Sequence, residues 1–413
     1  MRILIVGENF APSWAFGGPP KVLFDLSREL VKRDHSVTVV ATNVLDAQTE
    51  IQKTSDVLEG IRVYYLRTLS KWLAWNQKIF LPIGLKNLLK KIIRDFDIVI
   101  LVSSRTVLSL VSYLNALTFN KPYILLPHGT LPRGTGFKKL LKWVIDLFFG
   151  YGLVRNASMV FAQTNHEMQE AKKYGARSNR VKLVPLNIDL SEFEELPPRG
   201  NFRTKLGIAG NEKVILFLGR LHKYKGLELL LKSFSHLSQT SSNYRLVIVG
   251  RDDGYLSTML KLIADLGLEE KAIFSGSLYG KDRIAAYVDA DVFVLPSSHY
   301  EETSTATLEA CAASTPVITT RHASIPGLDS YRAGFTINYD QKELEDALKT
   351  ILDNRKLRDV MGRNARKMVR EIYGSVAWVD RFEEIFELTT RTKYFEKKQL
   401  RFRVPQGSAK IHD

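Results

Sequence analysis

Short, mostly apolar runs that alternate with segments of helical spacing constrain the fold of this 413-residue chain more than any other feature. Such alternation is typical of repeated βαβ units that build a parallel sheet. It stops in the proline-broken stretch 185–200 and then begins again, so we predict two similar α/β halves joined by a linker. The predicted strands are Ile3–Val6, Val37–Ala41, Ile98–Val102, Tyr123–Leu126 and Met159–Ala162 in the first half, and Val214–Leu218, Arg245–Val249, Asp291–Leu295, Pro316–Thr319 and Gly334–Ile337 in the second.

The chain carries a formal net charge of +15, and the excess is unevenly placed. The net charge is +12 over 1–190, −2 over 191–390 and +5 over 391–413. A cationic surface of this kind implies an anionic partner, for which nucleic acid, an acidic membrane and a phosphorylated metabolite are the candidates. The sequence has no zinc finger, helix-turn-helix or aromatic RNP strand, so we expect no nucleic-acid partner.

Two basic segments rich in aromatic residues lie in the first half. Lys71–Arg94 contains no acidic residue, and Phe137–Gly150 repeats the mixture of lysines and aromatic side chains. Segments of this kind bind an anionic membrane surface, or they pack on a sheet and leave their lysines in water, and the sequence leaves both interpretations open. No run of about 20 apolar residues occurs, so we predict no membrane-spanning helix.

The single cysteine, Cys311, excludes an intramolecular disulfide framework and a cysteine-based zinc cluster. Met1 leads straight into an apolar strand instead of a signal peptide. We therefore expect a cytoplasmic protein, which would be peripheral on the inner face of the membrane if its basic segments bind lipid.

Two adjacent glycines, Gly17 and Gly18, lie between the first strand and the helix that follows it. Glycines at a helix start leave backbone N–H groups open to a phosphate or sugar oxygen. The spacing Gly-x-Gly-x-x-Gly is absent after the first strand of either half, which argues against an ordinary NAD-dependent enzyme.

Charged residues follow two strands of the second half where those strands end. Arg220 and Lys225 follow the first of them, and a guanidinium and an ammonium in one loop can grip a diphosphate. Glu301 lies in the loop after the third strand, and Glu309 lies on the next helix, which begins near Ser304. Carboxylates accept hydrogen bonds from vicinal hydroxyls, and the free amides of a helix start can hold an anion.

In their order and spacing, these glycines, the basic loop and the Glu301-x7-Glu309 pair resemble the retaining glycosyltransferases of family 4, also called group 1. The resemblance extends from Met1 to about Thr390, and it includes the linker Val184–Phe193, which is similar to the family's Pro-Asn-Gly-Val-Asp pattern. It implies the GT-B fold, in which two Rossmann-like α/β domains face each other across a cleft.

The resemblance also implies how the chain is divided. The expected parts are an acceptor-binding domain at 1–190, a nucleotide-sugar-binding domain at 191–374, a helix at 375–390 that crosses back to the first domain, and a basic tail at 391–413.

A role for each motif residue follows from the resemblance. Arg220 and Lys225 would neutralise the nucleotide diphosphate, Glu309 would hold the ribose hydroxyls, and Glu301 would bind a hydroxyl of the donor sugar. His128 matches the active-site histidine that contacts the donor sugar near the reacting carbon. The implied catalytic residues are His128, Glu301, Arg220 and Lys225, and the implied substrate-binding residues are Gly17, Gly18, Ser304, Thr305, Ala306 and Glu309.

The activity that the resemblance implies is a retaining, metal-independent sugar transfer without a cofactor. The donor would be a nucleotide-diphosphate sugar, and the acceptor a glycan or a polyprenyl- or other lipid-linked molecule in cell-surface polysaccharide or glycoconjugate biosynthesis. Two alternatives stay open, namely a sugar-nucleotide 2-epimerase of the same architecture and a basic anion-binding protein without catalysis.

One departure from the family pattern bears on the donor. The family often has glycine after the first glutamate, whereas Glu302 follows Glu301 here. A further carboxylate repels an anionic ligand unless it is paired or turned away, so we expect Glu302 to influence the choice of donor sugar.

Overall fold

The structure is a computed structural model that describes residues 1–131, 143, 145–241, 243–301 and 303–386. These residues form two α/β domains, each built on a largely parallel sheet, so the predicted fold class is confirmed. The predictions for Glu302, for 387–390 and for the tail 391–413 fall outside the described residues, as do those for 137–142 and 144.

The first domain is built on an eight-stranded sheet. Its strands are β1 (Arg2–Val6), β2 (Ser36–Thr42), β3 (Ser55–Leu58), β4 (Ile61–Leu66), β5 (Ile98–Val102), β6 (Tyr123–Leu126), β7 (Met159–Ala162) and β8 (Val181–Leu183). Their order is β3-β4-β2-β1-β5-β6-β7-β8, and all neighbours pair in parallel except β3 and β4. The order reverses between β1 and β5, where the sheet is expected to open a crevice.

The second domain is built on a six-stranded parallel sheet. Its strands are β9 (Lys213–Leu218), β10 (Tyr244–Val249), β11 (Ala272–Gly276), β12 (Val292–Leu295), β13 (Val317–Thr320) and β14 (Gly334–Ile337). They follow the order β11-β10-β9-β12-β13-β14, which reverses between β9 and β12. Ligands of such sheets bind outside the carboxyl ends of the strands at this switch point.

Helices cover both faces of each sheet. Those of the first domain are α1 (Gly18–Lys32), α2 (Leu85–Ile92), α3 (Val107–Thr118), α4 (Tyr151–Arg155) and α5 (Asn165–Lys173). Those of the second are α6 (Asn201–Lys205), α7 (Leu227–Thr240), α8 (Leu256–Asp265), α9 (Gly280–Asp289), α10 (Thr305–Ala312), α11 (Gln341–Asp353) and α12 (Arg355–Tyr373). Several begin at a side-chain cap, because Thr, Ser, Asp and Asn accept a hydrogen bond from a free amide of the first turn.

Burial on both sheet faces explains the continuous apolar runs of the central strands. In β1, Leu4 and Val6 pack in one core cluster, and Ile3 and Ile5 pack in another on the opposite face. Strands covered by helices on both sides need apolar residues at every position, so they lack the alternation of a half-exposed strand.

The helix formed by residues 375–386 packs on the first domain although it follows the second in sequence. The Trp378 and Phe382 rings stack at 5.6 Å, and both contact Phe161 of β7 edge-on, at 6.0 and 6.2 Å. Arg33 at the end of α1 pairs with Asp380 at 2.6 Å. The last described segment therefore completes the core under the first sheet.

The basic segment Lys71–Arg94 is not one continuous helix. It contains a single π-helical turn, Leu73–Gln77, and then α2. Leu85 and Leu89 of α2 are buried in the core cluster that contains Leu4 and Val6 of β1. In the part of the chain that the structure describes, no helix has the length and apolar character needed to cross a bilayer.

Candidate active site

The loops that follow β9 and β12 meet at the switch point of the second sheet. Gly226 has a φ of +73°, and a Cβ there would lie 1.8 Å from the Pro296 carbonyl oxygen, so only glycine permits this approach. The Ser298 N–H donates to the Tyr224 carbonyl oxygen at 2.9 Å. The two loops that carry the predicted charged residues are therefore fixed against each other.

Lys225 and Glu301 form an ion pair between these loops. Lys225 Nζ contacts Glu301 Oε1, and the Ser297 hydroxyl donates to Oε2 of the same carboxylate at 2.7 Å. The Glu301 N–H donates to the His322 carbonyl oxygen at 2.8 Å, which fixes the backbone at the carboxylate. An ammonium has three donors and a carboxylate about four acceptor positions, so both groups keep capacity for a ligand.

Arg220 lies at the same strand end but points toward solvent. Its Nη1 donates to Asp253 Oδ2 at 2.6 Å, and 56% of its side chain is exposed. Among the described residues, no ion pair or hydrogen bond joins Arg220 to Glu301. The structure therefore brings Lys225 and Glu301 together, whereas Arg220 lies at the same strand end and pairs with Asp253.

Two further cations, which the sequence analysis missed, approach this site. Lys78 of the first domain lies 4.8 Å from the centre of the Trp75 ring, and Arg251 of the second domain lies 5.9 Å from the same ring. Burial lowers the pKa of Lys78, and the charges of Arg251 and Arg220 lower it further. Arg251 follows β10 closely, a position that could have drawn attention to it. Nothing in the sequence pointed to Lys78 in the cleft.

The start of α10 faces the first domain across the cleft. Ser304 caps this helix by accepting a hydrogen bond from the Thr307 N–H at 3.4 Å, so the first amides belong to Thr305 and Ala306. Gly18, the first residue of α1, lies so close that a Cβ there would be 3.2 Å from Thr305 Cγ2. The preceding Gly17 has a φ of +88°. The structure thus places Gly18 beside Thr305, whereas a Cβ on Gly17 would have no atom within 4 Å.

Glu309 lies further along α10 and is buried. Its Oε2 accepts a hydrogen bond from the Tyr287 hydroxyl at 3.0 Å and lies 3.4 Å from Arg283 Nε. Burial raises the pKa of Glu309, and the Arg283 charge opposes that rise. No described residue donates a hydrogen bond to Oε1, which leaves this oxygen for a ligand hydroxyl.

Arg283 also connects Glu309 to the first domain through the linker. Its Nη2 donates to Glu192 Oε2 at 2.7 Å, and Oε1 of Glu192 pairs with Lys21 of α1. This chain of charges was absent from the sequence analysis, because contacts among α1, α9 and the linker depend on how the two domains meet.

His128 lies in a turn after β6 that is held in an uncommon conformation. Its φ is +48°, and the next N–H, of Gly129, donates to the buried Glu167 Oε1 at 2.7 Å. The ring borders a small cavity with Val22 and Trp378, and burial lowers the pKa of His128 to about 4. A non-glycine residue held at positive φ by its surroundings favours a functional role.

A second acidic group missed by the sequence analysis lies at the switch point of the first sheet. Glu8 follows β1, and its Oε2 accepts a hydrogen bond from the Ser103 hydroxyl at 3.2 Å. Its Oε1 is buried and has no hydrogen-bond partner among the described residues, as does Asn9 Oδ1. Burial raises the pKa of Glu8. Unsatisfied buried acceptors are rare, and donors from a ligand would satisfy them.

Within the ranges that the structure describes, no group of three or more His, Cys, Asp or Glu side chains is placed to hold a metal ion.

Two family models match the chain, one in each domain. The Glycosyltransferase Family 4 model matches residues 16–192, and the model of glycosyl transferases group 1 matches residues 198–368. Both models agree with the resemblance drawn from the motifs, which is thereby confirmed.

Curated relatives are similar over part of their length. D-inositol 3-phosphate glycosyltransferase of Corynebacterium jeikeium (strain K411) is 30% identical over 225 residues, which are 52% of this chain and 53% of that protein. Mannosylfructose-phosphate synthase of Agrobacterium fabrum (strain C58) is 32% identical over 204 residues, which are 46% and 44% of the two chains. The chain therefore spans about half the length of the curated relatives that it matches.

A solved structure is similar over nearly the whole chain. Anabaena Alr3699/HepE, crystallised in complex with UDP, superposes with a TM-score of 0.73 at 17% identity and covers 94% of this chain and 100% of its own. At this identity the likeness establishes the fold alone. The two family models between them span most of the chain, which therefore belongs to the family 4 (group 1) glycosyltransferases and has the GT-B fold.

Proposed function

We propose that the protein transfers a sugar from a nucleotide-diphosphate sugar to a hydroxyl of a glycan or lipid-linked acceptor, with retention of the anomeric configuration. The observation that carries this proposal is the Lys225–Glu301 pair at the β9/β12 switch point, close to the start of α10. A diphosphate donor needs positive charge and free amides together, and this end of the second sheet supplies both.

The diphosphate would lie between the basic loop and the first amides of α10. Lys225 would give the donors that Glu301 leaves unused, and Arg220 would turn from Asp253 to a phosphate oxygen. Gly18 presents no side chain opposite Thr305, so the phosphates can approach both helix starts.

Glu301 and Glu309 would divide the rest of the donor between them. Glu301, anchored by Ser297 and Lys225, would accept hydrogen bonds from a hydroxyl of the sugar. Glu309 Oε1 would accept those of the ribose. Because Alr3699/HepE has been crystallised with UDP, we propose UDP as the first nucleotide to test.

Transfer then requires stabilisation of separating charge. As the sugar–phosphate bond breaks, positive charge develops on the anomeric carbon and negative charge on the leaving diphosphate, which fixed cations and oriented amides stabilise. The acceptor oxygen bonds to the anomeric carbon on the face that the phosphate leaves, and its proton passes to the leaving phosphate oxygen. The positive charge of Lys225 and Arg220 serves this step without a metal ion.

The acceptor would bind at the switch point of the first sheet. Glu8 Oε1 and Asn9 Oδ1 are hydrogen-bond acceptors that lack donors among the described residues, and sugar hydroxyls are donors. Within the basic segment Lys71–Arg94, the side chains of Trp72 and Ile83 are 63% and 53% exposed. Exposed apolar side chains among lysines favour contact with an anionic lipid surface, which supports an acceptor that is held in a membrane.

The proposal is tested with purified protein and a panel of UDP, GDP, ADP and dTDP sugars. We expect one nucleotide to raise the melting temperature and its sugar to be hydrolysed slowly without acceptor, equally with and without EDTA. NMR of the donor pool distinguishes the alternative, since a 2-epimerase would form the epimeric sugar without any acceptor. Failure of every nucleotide to bind would contradict the proposal.

Vesicle co-sedimentation tests the membrane part separately. We expect binding to vesicles with phosphatidylglycerol, weak binding to phosphatidylcholine alone, and weaker binding of a Trp72→Ser variant. Equal binding to both lipids would contradict the electrostatic contribution.

A further inference from the structure

A cationic cavity lies in the second domain on the outer side of α12. Its volume is about 440 Å³, and Ser314 and Glu371 line it with four cations of this helix. The cations are Arg363, Arg366, Lys367 and Arg370. Their spacing of i, i+3, i+4 and i+7 places them on one face of the helix over two turns. We call this site the α12 cavity.

The positive charge of the α12 cavity is poorly compensated. Glu371 lies 4.0 Å from Lys367 and accepts a hydrogen bond from the Tyr331 hydroxyl at 2.6 Å. In the described ranges, no carboxylate lies within 4 Å of Arg363 or Arg370. Like charges at this spacing repel each other and destabilise a helix. A bound anion would relieve this repulsion among the four cations.

Burial and the neighbouring cation act on Arg366 in the same direction. Burial and the charge of Arg370 together lower the pKa of Arg366, while its Nη2 donates to the Phe193 carbonyl oxygen at 2.7 Å. The second domain, residues 191–374, has a net charge of only +1, so this concentration of cations stands apart from the charge of its own domain.

We propose that the α12 cavity binds a phosphate group at a site separate from the nucleotide site. Each guanidinium group can donate two parallel hydrogen bonds to two oxygens of one phosphate, whereas a lysine ammonium acts as a single point charge. The cations extend over about 10 Å along the helix, and the cavity volume falls in the range of small-molecule sites. A phosphorylated metabolite or a lipid phosphate fits this extent, whereas a nucleic acid would need a longer basic track.

The α12 cavity lies at the end of α10 opposite to the proposed diphosphate site. The helix begins at Thr305 and ends at Ala312, two residues before Ser314. A Cβ on Gly362 of α12 would lie 2.1 Å from the Ser314 carbonyl oxygen, so the two segments are in close contact. Eight helical residues, about 12 Å, therefore separate the two anion sites.

The test measures pyrophosphate binding by calorimetry at constant ionic strength. It uses an Arg220→Gln/Lys225→Gln variant, which removes the proposed nucleotide contacts, so its outcome does not depend on the proposed function. We expect binding to persist in this variant and its Kd to rise at least about tenfold when Arg363→Gln and Arg370→Gln are added. Lys261→Gln with Lys349→Gln, which removes the same charge elsewhere in the domain, should leave the Kd within about twofold.

A second arm distinguishes the source of the phosphate. In this arm the full chain is tested for binding to phosphatidylglycerol vesicles. The site takes a lipid phosphate if pyrophosphate does not bind, if Arg363→Gln with Arg370→Gln abolishes vesicle binding, and if the control pair leaves vesicle binding unchanged. Should the double variant fail to fold, the exposed Arg363→Gln alone is measured by both methods. No effect in either arm, or an equal effect of the control pair, overturns the proposal.

Discussion

The ion pair of Lys225 and Glu301 makes each residue necessary to the other. Both side chains are largely removed from solvent, with 16% and 23% exposed. Removing one partner of such a pair leaves a poorly solvated charge, whereas removing both is less costly. The pair therefore serves the stability of the folded protein as well as the proposed binding of the donor.

A Lys225→Met variant should lose most of the activity. The missing ammonium no longer stabilises the leaving diphosphate, and loss of one such group typically costs 10²- to 10³-fold, so we expect kcat/KM for the donor to fall by about 10²-fold. Release of nucleoside diphosphate measures this. Lys225→Met with Glu301→Gln should recover stability but not activity, and a kcat/KM within about threefold of the original would contradict the proposed role.

The low pKa of His128 gives it a defined effect on stability. The folded protein keeps this ring neutral down to a pH of about 4, while the unfolded chain takes up a proton near pH 6.5. Because only the unfolded state binds this proton between those values, His128 lowers the free energy of unfolding as the pH falls from about 6.5 to 4.

A His128→Asn variant should remove this dependence, since asparagine tolerates the positive φ and does not titrate. We expect the unfolding free energy of the original protein to fall by up to about 3 kcal/mol more than that of the variant between pH 7 and pH 4. Urea unfolding at four pH values measures the difference. Parallel pH profiles would show that the ring is not buried as a neutral group.

At this scale the sequence indicated only residues that belong to short local patterns. Lys225 and Glu301 each lie in a loop after a strand end, and Glu309 follows Glu301 on the next helix at a recognisable spacing. Lys78 and Glu192 do not, because their contacts are made with the other domain or across the linker. Such contacts are decided by how two independent sheets meet, which no local spacing encodes.

Among the elements, the meeting of α1 and α10 determines the width of the cleft at the proposed phosphate site. Their first residues, Gly18 and Thr305, approach so closely that a methyl group on Gly18 would make a tight contact with the Thr305 side chain. Because Pro19 and Pro20 have no N–H, α1 has few free amides there, and the amides that begin α10 supply most of the positive end at this region.

Substitution of Gly18 by alanine should separate these helix starts. The new methyl group would lie 3.2 Å from Thr305 Cγ2, and overpacking of this kind costs about 1–3 kcal/mol. We expect the donor Kd to rise about tenfold and the melting temperature to fall by about a few degrees. Titration with the nucleotide identified in the panel measures this.

The matching control restores the missing space. A Thr305→Ala substitution removes the two atoms that the new methyl would meet, so adding it to Gly18→Ala should recover most of the affinity. Additive losses in the double variant would contradict a steric cause.

The elements that the sequence predicted are those buried on both faces. The central strands, such as β5 with all five residues buried, are continuous apolar runs. The missed strands β3, β4, β8 and β11 lie at or next to sheet edges, and none of them is buried along its whole length. The segment Lys71–Arg94 likewise divides its apolar residues, since Leu85 and Leu89 enter the core while Trp72 stays exposed.

For the molecule as a whole, the helix of residues 375–386 joins the end of the described chain to its first domain. Trp378 and Phe382 are buried with residues of β1, β2, β5 and β7 in one core cluster. Helical spacing alone could not have assigned this segment to either sheet, because both sheets present apolar faces.

A Trp378→Ala variant should therefore destabilise the first domain although the residue lies far from it in sequence. Loss of a buried tryptophan costs about 3–5 kcal/mol. We expect faster amide hydrogen exchange in β1, β5 and β7 and unchanged exchange in β9 and β12. Val376→Ala, at a position 56% exposed on the same helix, is the matched control. Equal loss of protection in both sheets would contradict this assignment.

The returning helix also has a consequence for the order in which the molecule can be completed. During translation, residues of the first sheet leave the ribosome long before Trp378, Phe382 and Arg33's partner Asp380 are made. The earliest part of the polypeptide must therefore wait, with an apolar surface still uncovered, until the whole second domain and residues 375–386 have emerged.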